Sequence, residues 1–336
     1  MTETFEASGS RGVDGSALAD RSVLVTGGAG FIGSHLTERL VDLGAGVTVL
    51  DDLSAGVERN LAAVRSAIDF REGDVRDKEV LRPVLTDVDI VFHLAANAHV
   101  PTSVERPTHD FDVNAAGTQA VLEGARQEGV ERVVIASSAA VYGPPQAVPM
   151  TEDHPLAPVS PYGGSKLAAE QAGLVYDECY DLDVSALRIF NTYGPRQPRY
   201  VMYDFLRKLE EDPSELAVLG SGEQVRTFAY VSDTVDALVA LGVADRAPGR
   251  AFNVGGQEAT RIMDLAELMA DRYYDGDPDV YATGEAKAGD IERLVVDNSR
   301  LAELDVEPSV GLEEGLDRLY EWFQAESASR APKKEM

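Results

Sequence analysis

Three residues of this chain could move a proton. Tyr162 and Lys166 stand four apart in Pro161-Tyr162-Gly163-Gly164-Ser165-Lys166, a spacing that puts both side chains on one side of a helix. Pro161 suits the first turn of such a helix. A free tyrosine ionises near pH ~10, too high for a base at neutral pH. An ammonium nearby, plus a cationic nicotinamide ring, would favour the phenolate. Ser138, ending the apolar run Val133-Val134-Ile135-Ala136, could hydrogen-bond the same substrate hydroxyl. Tyrosine and lysine stand four apart on many helices without chemical purpose. The chemical reading therefore depends on a dinucleotide site on the same sheet.

The stretch Thr26-Gly27-Gly28-Ala29-Gly30-Phe31-Ile32-Gly33 offers that site. The apolar run Ser22-Val23-Leu24-Val25 leads into it. Phe31, Ile32, Leu36 and Leu40 follow at helical spacing. The glycines thus sit where a buried strand turns into a helix, the context a dinucleotide loop needs. Glycine lets the backbone turn tightly and approach a pyrophosphate, and the helix N-terminus adds unpaired N–H groups. A second strand, Val47-Thr48-Val49-Leu50, ends at Asp51, 18 residues after Gly33. That spacing suits a carboxylate on the adenine ribose and favours NAD over NADP, because a carboxylate repels a 2′-phosphate.

The elements that must position these residues follow a rhythm. Apolar runs at Val23–Thr26, Val47–Leu50, Ile68–Phe70, Ile90–Phe92, Val133–Ala136 and Val184–Phe190 each end in small or polar residues. Helix-length segments such as Asn114–Gln127 and Ser165–Tyr180 carry 3.6-residue periodicity. Strands alternating with helices predict an α/β fold, a Rossmann doubly wound parallel sheet with right-handed crossovers. In such sheets ligands bind beyond the carboxyl ends of the strands, so the polar terminations converge on one edge. After Asn191 the pattern loosens. Val201–Glu211 reads as a helix, Leu216–Leu219 as a strand, Ser232–Val243 as a helix and Ala251–Val254 as a late strand. Ile262–Tyr274 and Leu312–Phe323 read as terminal helices. These pieces predict a smaller C-terminal substrate lobe.

Composition bounds the rest. The 336 residues, 44% of them hydrophobic, can build a sizeable core. There is no apolar stretch of about 18 residues, so no membrane helix is expected. The polar start of the chain does not read as a signal peptide. The lone Cys179 excludes an intramolecular disulfide and reads as a buried helix residue; a reducing cytoplasm is expected. With 58 acidic against 30 basic residues the formal charge is −28. Such a surface repels nucleic acid and is similar to proteins of salt-rich cytoplasms, as in halophilic archaea. Its self-repulsion would be screened in molar salt. The five histidines show no metal-ligand spacing, and no Gly-x-Ser-x-Gly elbow exists. They read as structural, with no metal.

Taken together, the glycine stretch, His93-Leu94-Ala95-Ala96, Ser137-Ser138-Ala139-Ala140-Val141-Tyr142-Gly143, Tyr162-Gly163-Gly164-Ser165-Lys166, Asn191-Thr192-Tyr193-Gly194-Pro195-Arg196 and Arg226-Thr227-Phe228-Ala229-Tyr230-Val231-Ser232-Asp233 resemble the extended short-chain dehydrogenase/reductase family. Within it they resemble the NAD-dependent sugar epimerases and dehydratases, over residues 21 to 325. The resemblance implies Ser138, Tyr162 and Lys166 as catalytic residues. It implies a cofactor site of Gly27, Gly30, Phe31, Ile32, Gly33, Asp51, Asp74, Val75, Leu94, Ala95, Ala96 and Asn114, joined by Tyr162 and Lys166. It implies a nucleotide-diphosphate sugar as partner, its diphosphate held by Asn191 and Arg226 and its ribose by Asp290. Lys287 stands before Gly289-Asp290 where many members carry arginine.

The expected domains are an acidic disordered tail at 1–20, read from its polar composition, and an NAD-binding domain at 21–190, with later pieces near 232–255. The nucleotide-sugar lobe takes 191–231 and 256–325, and a frayed tail takes 326–336. Family members often dimerise through a four-helix bundle, here from Asn114–Gln127 and Ser165–Tyr180. The expected activity is NAD-dependent 4-epimerisation of a UDP-hexose such as UDP-glucose or UDP-galactose through a 4-keto sugar. Family dehydratases carry an Asp-Glu pair after the active-site hydroxyl residue, and decarboxylases often a Glu; here Ala139 and Ala140 follow Ser138. The alternatives are another NAD-dependent nucleotide-sugar isomerase, reductase or decarboxylase, or a non-catalytic NAD-sensing regulator.

Overall fold

Alternation of side chains along the strands builds the centre of the molecule. In β1 (Ser22–Thr26) Val23 and Val25 enter one apolar cluster and Leu24 the opposite one, all buried, as a strand covered on both faces requires. The computed structural model describes residues 15–285 and 291–330. β1 is followed by α1 (Phe31–Asp42), β2 (Gly46–Asp51), β3 (Ile68–Glu72), α2 (Lys78–Leu85) and β4 (Ile90–His93). Next come α3 (Val100–Glu105), α4 (Pro107–Phe111), a π-helical turn (Asp112–Ala116), α5 (Gly117–Glu128), β5 (Arg132–Ser138), α6 (Pro161–Cys179) and β6 (Asp183–Ile189). The chain continues through β7 (Asn191–Tyr193), α7 (Tyr200–Glu211), β8 (Glu215–Val218), β9 (Val225–Tyr230), α8 (Val231–Val243) and β10 (Ala251–Val254). It ends with β11 (Ala259–Arg261), α9 (Ile262–Tyr273), β12 (Asp279–Ala282), β13 (Arg293–Leu294), α10 (Ser299–Ala302) and α11 (Leu312–Arg330).

Seven strands form one parallel sheet in the order β3-β2-β1-β4-β5-β6-β10. The order reverses between β1 and β4, which opens a crevice at their carboxyl ends. One cluster, with Leu81, Leu85, Val121 and Leu122, fills the α2–α5 face. The other runs from Val25, Val49 and Phe92 through α1 and α8 into Phe205, Leu216, Leu265 and Leu319. The later strands build two small sheets, β9 with β7, β11 and β13, and β8 with β12.

Several local expectations change. Of the tail expected over 1–20, residues 1–14 lie outside the described residues; Gly15–Leu18 forms a 3-10 turn, and Leu18 is fully buried in the core. The tail expected from 326 is helical to Arg330, and Glu326 pairs with Arg59 at 2.9 Å. Cys179, expected to be buried, is exposed: it is the last residue of α6, whose buried residues end at Gly173. The periodic segment from Asn114 starts inside the π-helical turn, continuous with α4.

Candidate active site

The glycine loop is shaped by two close approaches. Gly27 has φ +71°, and a Cβ there would lie 2.7 Å from the Ala95 nitrogen. A Cβ on Gly33 would lie 2.1 Å from the Gly27 carbonyl oxygen, so only glycine lets α1 pack on the loop. Gly30 precedes α1 and provides no side-chain cap. The first N–H groups of the helix, including those of Phe31 and Ile32, therefore have no intrahelical acceptor and can hold an anion. Asp51 is buried at the end of β2. Its carboxylate accepts from the Ala29 and Leu53 N–H groups, both at 2.9 Å, and burial pushes its pKa up. Asp74 is turned onto its own loop: it accepts from the Arg76 N–H at 2.8 Å and pairs with the Arg76 guanidinium, which lowers its pKa. Val75 is buried below it.

Leu94, Ala95 and Ala96 follow β4 and lie beside the loop: the Leu94 N–H donates to the Thr26 carbonyl at 3.0 Å and that of Ala95 to Thr26 Oγ1 at 3.3 Å. Behind them runs a buried chain that sequence reasoning missed. Thr118 Oγ1 donates to the Asn114 carbonyl at 2.6 Å, so it accepts from His93 Nε2 at 2.9 Å. His93 Nδ1 then accepts from Thr26 Oγ1 at 2.7 Å. Burial, with the Lys166 charge nearby, holds His93 neutral, its pKa down at about 3.

The crevice edge next brings Ser138, Tyr162 and Lys166 together. Ser160 caps α6, its Oγ accepting from the Gly163 N–H at 3.1 Å, and Ser103 Oγ accepts from the Tyr162 N–H at 3.1 Å. Ser138, at the end of β5, faces the Tyr162 phenol. Burial raises Tyr162 to a pKa of about 12; Ser138 opposes the rise, while Tyr200 and Asp110 add to it. Desolvation is the largest influence at the phenol oxygen. Lys166 is 5% exposed. Burial lowers it to about 8, against the pull of Asp110 and Glu170. Asn114, also buried, bonds Ser165 Oγ at 3.0 Å and the Asn97 N–H at 2.8 Å.

On the opposite side of the crevice Asn191 and Arg226 lie on paired strands. Asn191 is opposite Phe228 in register and donates to the Thr227 carbonyl at 3.2 Å. Arg226 reaches the Val225 carbonyl at 2.9 Å. Asp290 and Lys287 lie outside the described residues. The loop after β7 clamps α1: Arg196 bonds Glu38 at 2.6 Å, and His35 Nε2 meets the Pro195 carbonyl at 3.0 Å. Tyr200, held at φ +71°, donates to the Ala98 carbonyl at 3.0 Å across the crevice. Among the described residues no His, Cys, Asp and Glu cluster could hold a metal ion.

A family model, described as the NAD dependent epimerase/dehydratase family, matches residues 23–255. The chain belongs to that family. It is 38% identical to a UDP-glucose 4-epimerase of Mycolicibacterium smegmatis, over 90% of this chain and 99% of that one. It is 36% identical to a dTDP-glucose 4,6-dehydratase of Streptomyces griseus, over 90% and 93%. Its fold matches the UDP-N-acetylglucosamine 4-epimerase of Methanobrevibacter ruminantium, solved with UDP-N-acetylmuramic acid, at TM-score 0.86 and 33% identity, covering 92% and 99%. The cofactor of this epimerase/dehydratase is NAD. The residues fit it: the N–H groups that open α1 have no side-chain cap, the space beside Gly30 is open except for the Gly27 carbonyl oxygen, and the Asp51 carboxylate ends the neighbouring strand β2.

Proposed function

We propose that this chain is an NAD-dependent 4-epimerase of a nucleotide-diphosphate sugar, of the UDP-glucose/UDP-galactose type. One observation carries the choice within the family. Ala139 and Ala140 form the turn directly after Ser138, with Ala139 buried and the Ala140 carbonyl turned against Gly163. Neither side chain can donate or accept a proton. Dehydration needs an acid and a base beyond Tyr162, to take the C5 proton and protonate the leaving 6-hydroxyl. Decarboxylating members often carry a Glu at this turn, which is absent here.

Tyr162 takes the proton from the sugar 4-hydroxyl and later returns it. Ser138 hydrogen-bonds the same oxygen. Lys166 holds a positive charge one turn along the helix; Asn191 and Arg226 would hold the diphosphate and Asp290 the nucleotide ribose. Bound NAD supplies the hydride acceptor and donor at C4 and a positive charge beside the phenol. The complete Ser138, Tyr162 and Lys166 set argues for an enzyme rather than an NAD-sensing regulator. Exposed Val175 and Tyr180, on and beside the end of α6, support assembly as a homodimer through the helices over Asn114–Gln127 and Ser165–Tyr180. The test is incubation with a panel of UDP-sugars at high salt, read by mass spectrometry and NMR. Unchanged mass with inverted C4 supports the proposal; a product lighter by water or carbon dioxide overturns it.

A further inference from the structure

Asp110, on α4, is fully buried and has no role in the chemistry above. Its carboxylate accepts three hydrogen bonds: from Ser165 Oγ at 2.6 Å, Asn97 Nδ2 at 2.8 Å and Asn114 Nδ2 at 3.2 Å. All three run into the carboxyl oxygens, the pattern of an acceptor-only group. Its partners come from three segments. Asn97 lies just beyond the Leu94-Ala95-Ala96 loop, Asn114 lies in the π-helical turn, and Ser165 immediately precedes Lys166. Such π turns often mark functional positions.

The charges around the Tyr162–Lys166 pair isolate Asp110 further. Lys166 faces Asp110 from α4, Glu170 from its own helix and His93 from β4. Tyr162 faces Ser138, Tyr200 and Asp110. The Glu170 charge is matched, since Arg188 grips both its oxygens, with Nη2 at 2.6 Å, and Ser137 Oγ donates to it at 2.6 Å. His93 is neutral. Asp110 has only neutral hydrogen-bond donors and forms no ion pair among the described residues. A buried carboxylate with no cation in contact is costly, and it acts strongly on charges nearby because little water screens it.

We propose that Asp110 is a positioning residue of the catalytic site: through Ser165 it fixes the start of α6 against the β4 loop and the π turn, and its charge sets the field that Lys166 and Tyr162 share. The proposal rests on the reading of Tyr162 and Lys166 as the catalytic pair. Removing the negative charge disfavours the Lys166 ammonium and favours the Tyr162 phenolate. In Asp110→Asn both groups should therefore titrate at lower pH. Ser165→Ala breaks the tether but leaves the charge.

The chain has only six lysines, so [13C-ε]lysine NMR resolves Lys166, assigned with Lys166→Met. In the full-length NAD-bound protein, Asp110→Asn should move the Lys166 midpoint acidward by about one pH unit. The alkaline limb of kcat should move with it. In Ser165→Ala the midpoint should stay, while amide exchange of residues 162–166 quickens. A Lys166 midpoint unmoved in Asp110→Asn overturns the proposal, as does a shift in Ser165→Ala as large as that in Asp110→Asn. If Asp110→Asn does not fold, unchanged exchange in Ser165→Ala overturns it alone. Because the NMR midpoint needs no sugar, failure of every UDP-sugar to react counts against the epimerase reading and not against the role of Asp110.

Discussion

Replacing Gly33 and Gly30 by alanine in turn separates the packing of the glycine loop from its contact with the cofactor. A Cβ on Gly33 would sit 2.1 Å from the Gly27 carbonyl oxygen and 2.9 Å from both the Gly27 carbonyl carbon and Gly28 Cα. All three atoms are backbone, so neither side can yield by rotating a side chain; the loop and α1 must part by about 1 Å. Overpacking of this kind costs about 1–3 kcal/mol. Displacing the N–H groups that face the pyrophosphate should also remove at least one charge-assisted hydrogen bond, worth roughly 1.5–3 kcal/mol, or about 10- to 100-fold in NAD affinity. At Gly30 the nearest atom to a Cβ is the Gly27 oxygen at 3.2 Å. No other atom lies within 4 Å, so Gly30→Ala should keep most of the stability, while the added methyl group beside the uncapped start of α1 should still weaken NAD. Thermal melts without cofactor and calorimetry with NAD read the two effects separately. Equal stability of Gly33→Ala and the parent, or equal stability losses in both variants, would refute the steric argument.

Tyr162→Phe should fold and bind NAD but lose about 10²- to 10⁴-fold in turnover; near-normal turnover would remove Tyr162 as the acid–base group. Asp51 should make NADP bind at least about tenfold more weakly than NAD, because a carboxylate at the adenine ribose would repel the extra phosphate; calorimetry showing equal affinity would overturn that role. Lys166 is charged below its pKa of about 8 and neutral above it, so kcat should fall as pH rises through about 8. A profile still flat well above that pH would show that the Lys166 charge is dispensable. Light scattering at micromolar concentration should give a dimer; a monomer would overturn the homodimer reading.

What was readable in the sequence shares a property. Gly27 and Gly33 are required by local geometry that only glycine satisfies, and Tyr162 and Lys166 face one way because helix pitch makes them do so. Strand ends such as Thr26, Asp51 and Ser138 could be placed because apolar runs stop there. What could not be read depends on which elements meet. Asp110 lies four residues before Asn114, and that spacing hints at their hydrogen bond, yet nothing in the sequence says that α4 packs beside Ser165. Leu18 reads as part of a polar tail until the core is seen to receive it. The rise in the Tyr162 pKa follows from how deeply the phenol is buried, a quantity no spacing encodes.

The catalytic helix shows why those meetings matter. At its start Ser160 caps it, and Gly163 lets it close on the end of β5, where a Cβ would come within 2.5 Å of the Ala140 oxygen and 2.9 Å of Pro158 Cβ. One turn on, Ser165 ties it to Asp110; one turn further, Glu170 ties it to Ser137 and Arg188. Ser137 is the neighbour of Ser138, so the same contacts that hold the tyrosine also hold the serine. A proton donor and acceptor must stay within hydrogen-bond reach through both halves of an epimerisation, and a site held on packed elements keeps such distances better than one held on loops. The proposed substrate side is the opposite case. It rests on the short strands β7, β9 and β13 and the loops between them, and such connecting segments are where one scaffold changes its substrate. Under the proposed reading, a turn as short as Ala139–Ala140 beside Ser138 separates epimerisation from dehydration, because neither side chain can supply the extra acid or base.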